Sequence, residues 1–108
     1  FNFCDLAGSE LAGNNIMKLP VPSFNVINGG SHAGNKLPFQ EFMIQPIYVD
    51  SFKNAMKAAS ETYHTLKKIL LNTFGQDSVN VGDEGGFAPN VSTPNECLDM
   101  LSQAIKLC

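Results

Sequence analysis

The sequence predicts an α/β protein in which two strands are followed by two helices. Three observations carry that prediction. Apolar residues run almost unbroken through residues 39–48, as in a strand, and recur at spacings of three and four through residues 51–74, as in a helix. Glycine-rich segments at residues 29–36 and 82–86 separate the elements. The chain has 108 residues, the size of one small domain, and is 44% hydrophobic and 16% charged. That balance belongs to a packed protein, since disorder requires low hydrophobicity and high net charge.

Taken in order, residues 1–19 begin apolar and pass through Gly8, Gly13, Asn14 and Asn15, which reads as the tail of a helix followed by a connection. Pro20 and Pro22 then hold the backbone extended. Residues 23–28 form a short strand. Residues 39–48 form a second, whose near-continuous Phe39, Phe42, Met43, Ile44 and Ile47 suit a strand covered on both faces. The ten residues between them are many for a hairpin connection, and long ordered loops tend to be functional. Residues 51–74 make the clearest helix, with an apolar stripe of Phe52, Met56, Ala59, Tyr63, Leu66, Leu70 and Phe74. Asp50 or Ser51 caps its start, Gly75 ends it, and Lys67 and Lys68 complement its dipole. After the loop at residues 81–90, Thr93-Pro94-Asn95-Glu96 reads as a capping box opening a second helix striped by Cys97, Leu101, Ile105 and Cys108. Two strands and two helices make a poor free-standing unit, so the strands are expected to belong to a larger sheet or barrel. The apolar start at Phe1 and the helical pattern running into Cys108 without a stop signal point the same way, to a piece of a longer protein.

Composition also excludes several functions. The net charge is −3 and no Lys/Arg cluster is present, so neither a nucleic-acid nor a membrane-surface binder is indicated. Lys53, Lys57, Lys67 and Lys68 bar the long helix from spanning a bilayer, and no signal peptide is visible. Cys4, Cys97 and Cys108 are odd in number and contain no CxxC pair, which supports neither a disulfide framework nor a zinc site. Three unpaired thiols favour a reducing compartment, and a cytoplasmic location is expected. The sequon Asn90-Val91-Ser92 is a triplet that often arises by chance.

Three constellations can carry chemistry. In Asn28-Gly29-Gly30-Ser31-His32-Ala33-Gly34-Asn35-Lys36 the glycines allow close approach to a ligand, and His32 can meet a phosphate or move with the loop. On the local pattern alone, an ordinary turn with an exposed histidine is the readier reading. A P-loop is excluded, because Asn35 separates Gly34 from Lys36 and Leu37 stands where Ser or Thr would hold magnesium. Glu41, among Phe39, Phe42, Met43 and Ile44, is either an acid in apolar surroundings or a strand-end carboxylate facing solvent. Asp83 and Glu84, flanked by glycines, are acid–base groups, metal ligands or a solvated turn. His64 lies on the long helix and reads as a surface histidine without a role.

Together these segments resemble the enolase family. The resemblance rests on Pro20-Val21-Pro22, on FNVINGGSHAGNKLPFQEFMIQP from Phe24, on YHTLKK from Tyr63 and on VNVGDEGGFAPN from Val79, with Asp5-Leu6-Ala7-Gly8 also fitting. It covers nearly the whole chain. Phe39 stands where Met is usual and Gln45 where Leu is common, and the stretch Ser9–Asn15 is its own.

The resemblance implies a fold: an α/β, TIM-like barrel that opens with a strand-strand-helix-helix unit whose second strand is antiparallel, incomplete in this chain. Residues 1–19 would join a preceding small domain and residues 20–108 would begin the barrel. It also implies an activity, the magnesium-dependent glycolytic dehydration of 2-phosphoglycerate to phosphoenolpyruvate, and a homodimer. By the same resemblance Glu84 matches the general acid, Glu41 a second carboxylate at the substrate, His32 a loop histidine that closes on substrate, and Gln40 a residue lining the pocket. The base lysine and the principal metal ligands belong to later strands, so the chain alone is expected to be inactive and to hold magnesium only weakly. A non-catalytic binding or structural protein derived from an enolase is the alternative.

Overall fold

The computed structural model describes residues 19–108, the side chain of His32 excepted. The helix tail and connection expected over residues 1–19 lie, apart from Leu19, outside the described residues, as does Cys4.

Strand β1 spans Phe24–Asn28 and β2 spans Glu41–Ile44. They pair antiparallel, with Phe24 opposite Ile44, Asn25 opposite Met43, Ile27 opposite Phe42 and Asn28 opposite Glu41. Between Asn25 and Ile27 the register slips: β1 advances two residues while β2 advances one, which is a β-bulge. On the other edge of β1, Phe87 bridges Ile27 in the parallel sense. The Asn28 N–H donates to the Phe87 carbonyl at 2.8 Å, and the Phe87 N–H to the Val26 carbonyl at 2.9 Å. The spatial order is therefore β2, β1, then the chain at Phe87. The second strand is antiparallel and the third lane parallel, the opening of the barrel the resemblance implies.

β2 is shorter than its apolar run. Phe42 and Ile44 are buried, while Met43 is 52% exposed and Phe39 and Ile47 are each 56% exposed. The two-sided cover expected for this strand is thus present on one face only among the described residues.

Helix α1 spans Phe52–Phe74. Ser51 is its N-cap, accepting from the Asn54 N–H at 3.1 Å. Gly75 ends it with φ +85°, a left-handed conformation that favours glycine, and donates to the Leu71 carbonyl at 3.0 Å. The buried Ser78 hydroxyl lies 3.0 Å from the Leu70 carbonyl and 2.6 Å from that of Gly75, serving orphan acceptors at the helix end. Lys67 and Lys68 fall short of the last turn, which carries no basic residue. The face that packs inward is Ala55, Ala59, Thr62, Leu66 and Leu70. Phe52, Met56 and Phe74, expected on the stripe, are exposed. Ala59, Leu66 and Leu70 of the expected stripe are buried, and the small Ala55 and Thr62 join them in place of the larger Phe52, Met56 and Phe74.

Helix α2 spans Pro94–Lys106 and packs on α1. Pro94 opens it, but the Thr93 side chain makes no capping bond, so the expected capping box is not formed. Cys97, Met100, Leu101 and Ala104 are buried, whereas Ile105 and Cys108 are exposed. The core joins β1 and β2 to both helices through Val26, Ile27, Phe42, Leu66, Leu70 and Leu101, with Phe87 and Val91 below the loop. Leu66 and Leu70 are fully buried, each contributing roughly 1.5–3 kcal/mol of apolar burial. Burial, with the Glu96 charge beside it, pushes the Cys97 thiol up to about 11, so this cysteine stays a neutral core residue.

Candidate active site

The candidate site lies where the segment Val81–Phe87 folds back beside the end of β1. Val81 pairs antiparallel with Phe87, and the Gly82 N–H donates to the Gly86 carbonyl at 2.9 Å. The Gly85 N–H donates to the Gly82 carbonyl at 3.0 Å, closing a tight turn whose two central residues are Asp83 and Glu84. Helix α1 supports this turn from beside it. The Tyr63 hydroxyl donates to the Gly85 carbonyl at 2.9 Å, and its ring stacks on Phe87 with centroids 4.3 Å apart. Burial raises the Tyr63 phenol above its ordinary value, which keeps the donor proton in place.

Glu84 is held by two amides. Asn28 Nδ2 donates to Glu84 Oε2 at 2.9 Å, and Asn25 Nδ2 donates to the same oxygen at 3.2 Å. Asn28 is 1% exposed, although an amide side chain is rarely buried without a reason. Glu41 is the partner of Asn28 across the ladder, and directly opposed residues project to the same face. Two of the three acidic residues singled out in the sequence, Glu41 and Glu84, 43 positions apart, are thereby both related to one asparagine.

The Gly29–Lys36 loop is tied to the same place by Asn35. Its Oδ1 accepts from the Gly30 N–H at 3.1 Å and the Leu37 N–H at 3.3 Å. Its Nδ2 lies 3.0 Å from both the Asn28 carbonyl and the Pro89 carbonyl. One side chain thus clasps the histidine-bearing loop to β1 and to the chain beyond Phe87. His32 closes a single turn of 3-10 helix at Gly30–His32. The backbone of Gln40 receives the Gly29 N–H at 2.8 Å, and its side chain is exposed. Gly29 has to be glycine, because a Cβ there would collide with the Phe39 carbonyl and Leu37.

Of the candidates, Glu84 is bonded to Asn28, Glu41 stands opposite Asn28 in the ladder, and the connection that carries His32 and Gln40 leaves β1 at the same residue. Asp83 is exposed and its side chain makes no hydrogen bond among the described residues. His64 is exposed on α1, edge-on to Tyr63. Sequence reasoning missed Asn25, Asn28 and Asn35. A signal was present: two amides inside the apolar strand Phe-Asn-Val-Ile-Asn are costly unless bonded.

A family model for the enolase C-terminal TIM barrel domain matches residues 16–108. The chain belongs to the enolase family. Enolase B of Dictyostelium discoideum and enolase 2 of Hevea brasiliensis are each 60% identical to it over 97 residues, 90% of this chain. The chain spans 22% of the length of these enolases. Within the enolase barrel it supplies two strands and then helices. Both glycine-rich signatures lie in the matched stretch: the loop that carries His32 joins β1 to β2, and the turn that carries Glu84 lies beside β1.

Proposed function

We propose that this chain is part of a phosphopyruvate hydratase, the carbon–oxygen lyase that dehydrates 2-phosphoglycerate to phosphoenolpyruvate in glycolysis. Family membership supports the reading, and one observation carries it to residues: Glu84 is held at a turn by two amides, one of them from Asn28, the residue opposite Glu41 in the ladder. In this reading residues 1–19 join a preceding domain and residues 20–108 begin the barrel. The full protein is a cytoplasmic homodimer acting on a small phosphorylated acid, with no nucleic acid and no membrane span involved. No described helix is long and apolar enough to cross a membrane.

Dehydration removes a proton from the carbon beside the carboxylate and then expels hydroxide from its neighbour. Hydroxide is a poor leaving group, so a positioned acid is worth roughly 10²–10⁴-fold in rate. Glu84 takes that role. Both amides engage Oε2, which leaves Oε1 to carry the proton to the departing oxygen. Glu41, on the same face as Asn28, contacts the substrate and supports this step. His32 closes on bound substrate and Gln40 lines the same pocket, which excludes water.

Magnesium would stabilise the negative charge of the ene-diolate formed when the proton leaves. The described residues do not fit such a site: no three His, Cys, Asp or Glu side chains converge among them. Glu84 Oε2 already accepts two N–H bonds. By the resemblance to enolases, the metal ligands and the base belong to other strands of the barrel.

The test is Glu84→Gln in the full-length protein. Formation of phosphoenolpyruvate should fall by orders of magnitude while the protein stays folded. Wild-type turnover in that variant would remove Glu84 from the chemistry.

A further inference from the structure

Asn25 and Asn28 stand three positions apart on β1. In a regular strand an odd separation sends two side chains to opposite faces. These two nevertheless reach the same atom, Glu84 Oε2, at 3.2 and 2.9 Å. They converge because the bulge adds one residue to β1 between Asn25 and Ile27. Bulges re-aim side chains in this way.

The convergence has a cost. The Oδ1 atoms of Asn25 and Asn28 are both buried without a hydrogen-bond partner. Each such acceptor has given up its hydrogen bonds to water without gaining a partner. Both are turned toward Gly86, where an added Cβ would collide with Asn28 Oδ1 and lie 3.0 Å from Asn25 Oδ1. Gly86 has no left-handed φ, so its glycine is required for space and not for conformation. A bulge, two amides with unpaired carbonyls and a glycine that leaves room for them all serve the aim of one carboxyl.

Resting on the assignment of Glu84 as the acid, we propose that the β1 bulge with Asn25 and Asn28 is the positioning device of Glu84, pinning Oε2 so that Oε1 delivers the proton. In the dehydration direction the base removes the C2 proton, and that bond's electrons form the C2–C3 double bond. The C3–O bond breaks with its pair going to oxygen. The Oε1–H proton moves to that oxygen, water departs, and Glu84 is left as a carboxylate. The two N–H bonds to Oε2 become charge-assisted as the proton leaves. They strengthen along the reaction, which is the condition for accelerating it.

The experiment uses the full-length protein with Asn25→Ala and Asn28→Asp, each alone and combined with Glu84→Gln. Two rates are measured: dehydration of 2-phosphoglycerate, and exchange of its C2 hydrogen with solvent deuterium, which needs the base but not the acid. The expected result is a fall of about 10²-fold in kcat for dehydration, as for a misplaced catalytic group. KM and C2 exchange should be retained, and no further loss should appear in the Glu84→Gln background. Asn25→Ala, at a half-buried position, keeps the test decisive should Asn28→Asp not fold. Exchange and dehydration falling together, or losses that multiply with Glu84→Gln, would reduce the asparagines to structural residues. An impaired Glu84→Gln beside a normal Asn25→Ala overturns this inference alone. A normal Glu84→Gln overturns the acid assignment and this inference with it.

Discussion

Asn35 makes four contacts with one short side chain, two as acceptor and two as donor. Its neighbours in sequence gave no hint of this, because Asn-Lys after glycine reads as an ordinary turn. The partners Asn28 and Pro89 lie 7 and 54 positions away, beyond the reach of any local pattern. Truncation would leave the part-buried N–H groups of Gly30 and Leu37 unpaired. Asn35→Ala should therefore destabilise the full-length protein by about 2–6 kcal/mol, at roughly 1–3 kcal/mol for each stranded group. It should also open residues 29–36 to proteolysis. Urea denaturation and limited digestion would check both, and a loss below about 1 kcal/mol would show that water replaces the clasp. His32, Gln40, Glu41 and Glu84 were visible as residues that could do chemistry. The amides that organise them were not, since an asparagine in a strand acquires a role only when its partner is known.

At the scale of elements, α1 and α2 begin differently. Ser51 bonds the Asn54 N–H, while the Thr93 side chain bonds nothing at the α2 start. Both positions carry residue types that cap helices, and the sequence offered Asp50 or Ser51 for the first and a capping box at Thr93 for the second. The structure separates them. Ser51→Ala should lower stability by about 1 kcal/mol, and Thr93→Ala by clearly less, in thermal or denaturant unfolding of the full-length protein. Equal losses would mean that Thr93 caps in solution. The existence and order of β1, β2, α1 and α2 were legible from period and punctuation. The inward faces were less so: Ala59, Leu66 and Leu70 are buried as expected, but Ala55 and Thr62 are buried where Phe52, Met56 and Phe74 were expected. Periodicity gives the direction of a stripe, but which residues lie at its centre depends on the neighbour that packs there.

The whole molecule exposes much apolar surface. Leu19, Val21, Phe39, Met43, Ile47 and Tyr48 are all exposed, Tyr48 at 96%. Apolar patches of this kind mark surfaces that other structure covers. β2 pairs only with β1 among the described residues, and an open strand edge invites association. The isolated 108-residue chain should therefore self-associate in size-exclusion chromatography, enhance the fluorescence of an apolar-surface dye, and fail to convert 2-phosphoglycerate. A monomer that binds no dye would show that the exposed residues rearrange to cover themselves.

The sequence alone determined the family, the strand-strand-helix-helix order, the two glycine-rich loops and the residues able to act as acids. Each of these is written in contiguous text or in a local period, which a reader can follow without knowing what touches what. Only the tertiary structure decided how those residues meet. The β1 bulge is a mismatch between two strands, so neither strand encodes it alone. The bonds from Asn25 and Asn28 to Glu84 cross 59 and 56 positions. Contacts at that separation form when the sheet assembles, and the orientation of the Glu84 carboxyl is decided there.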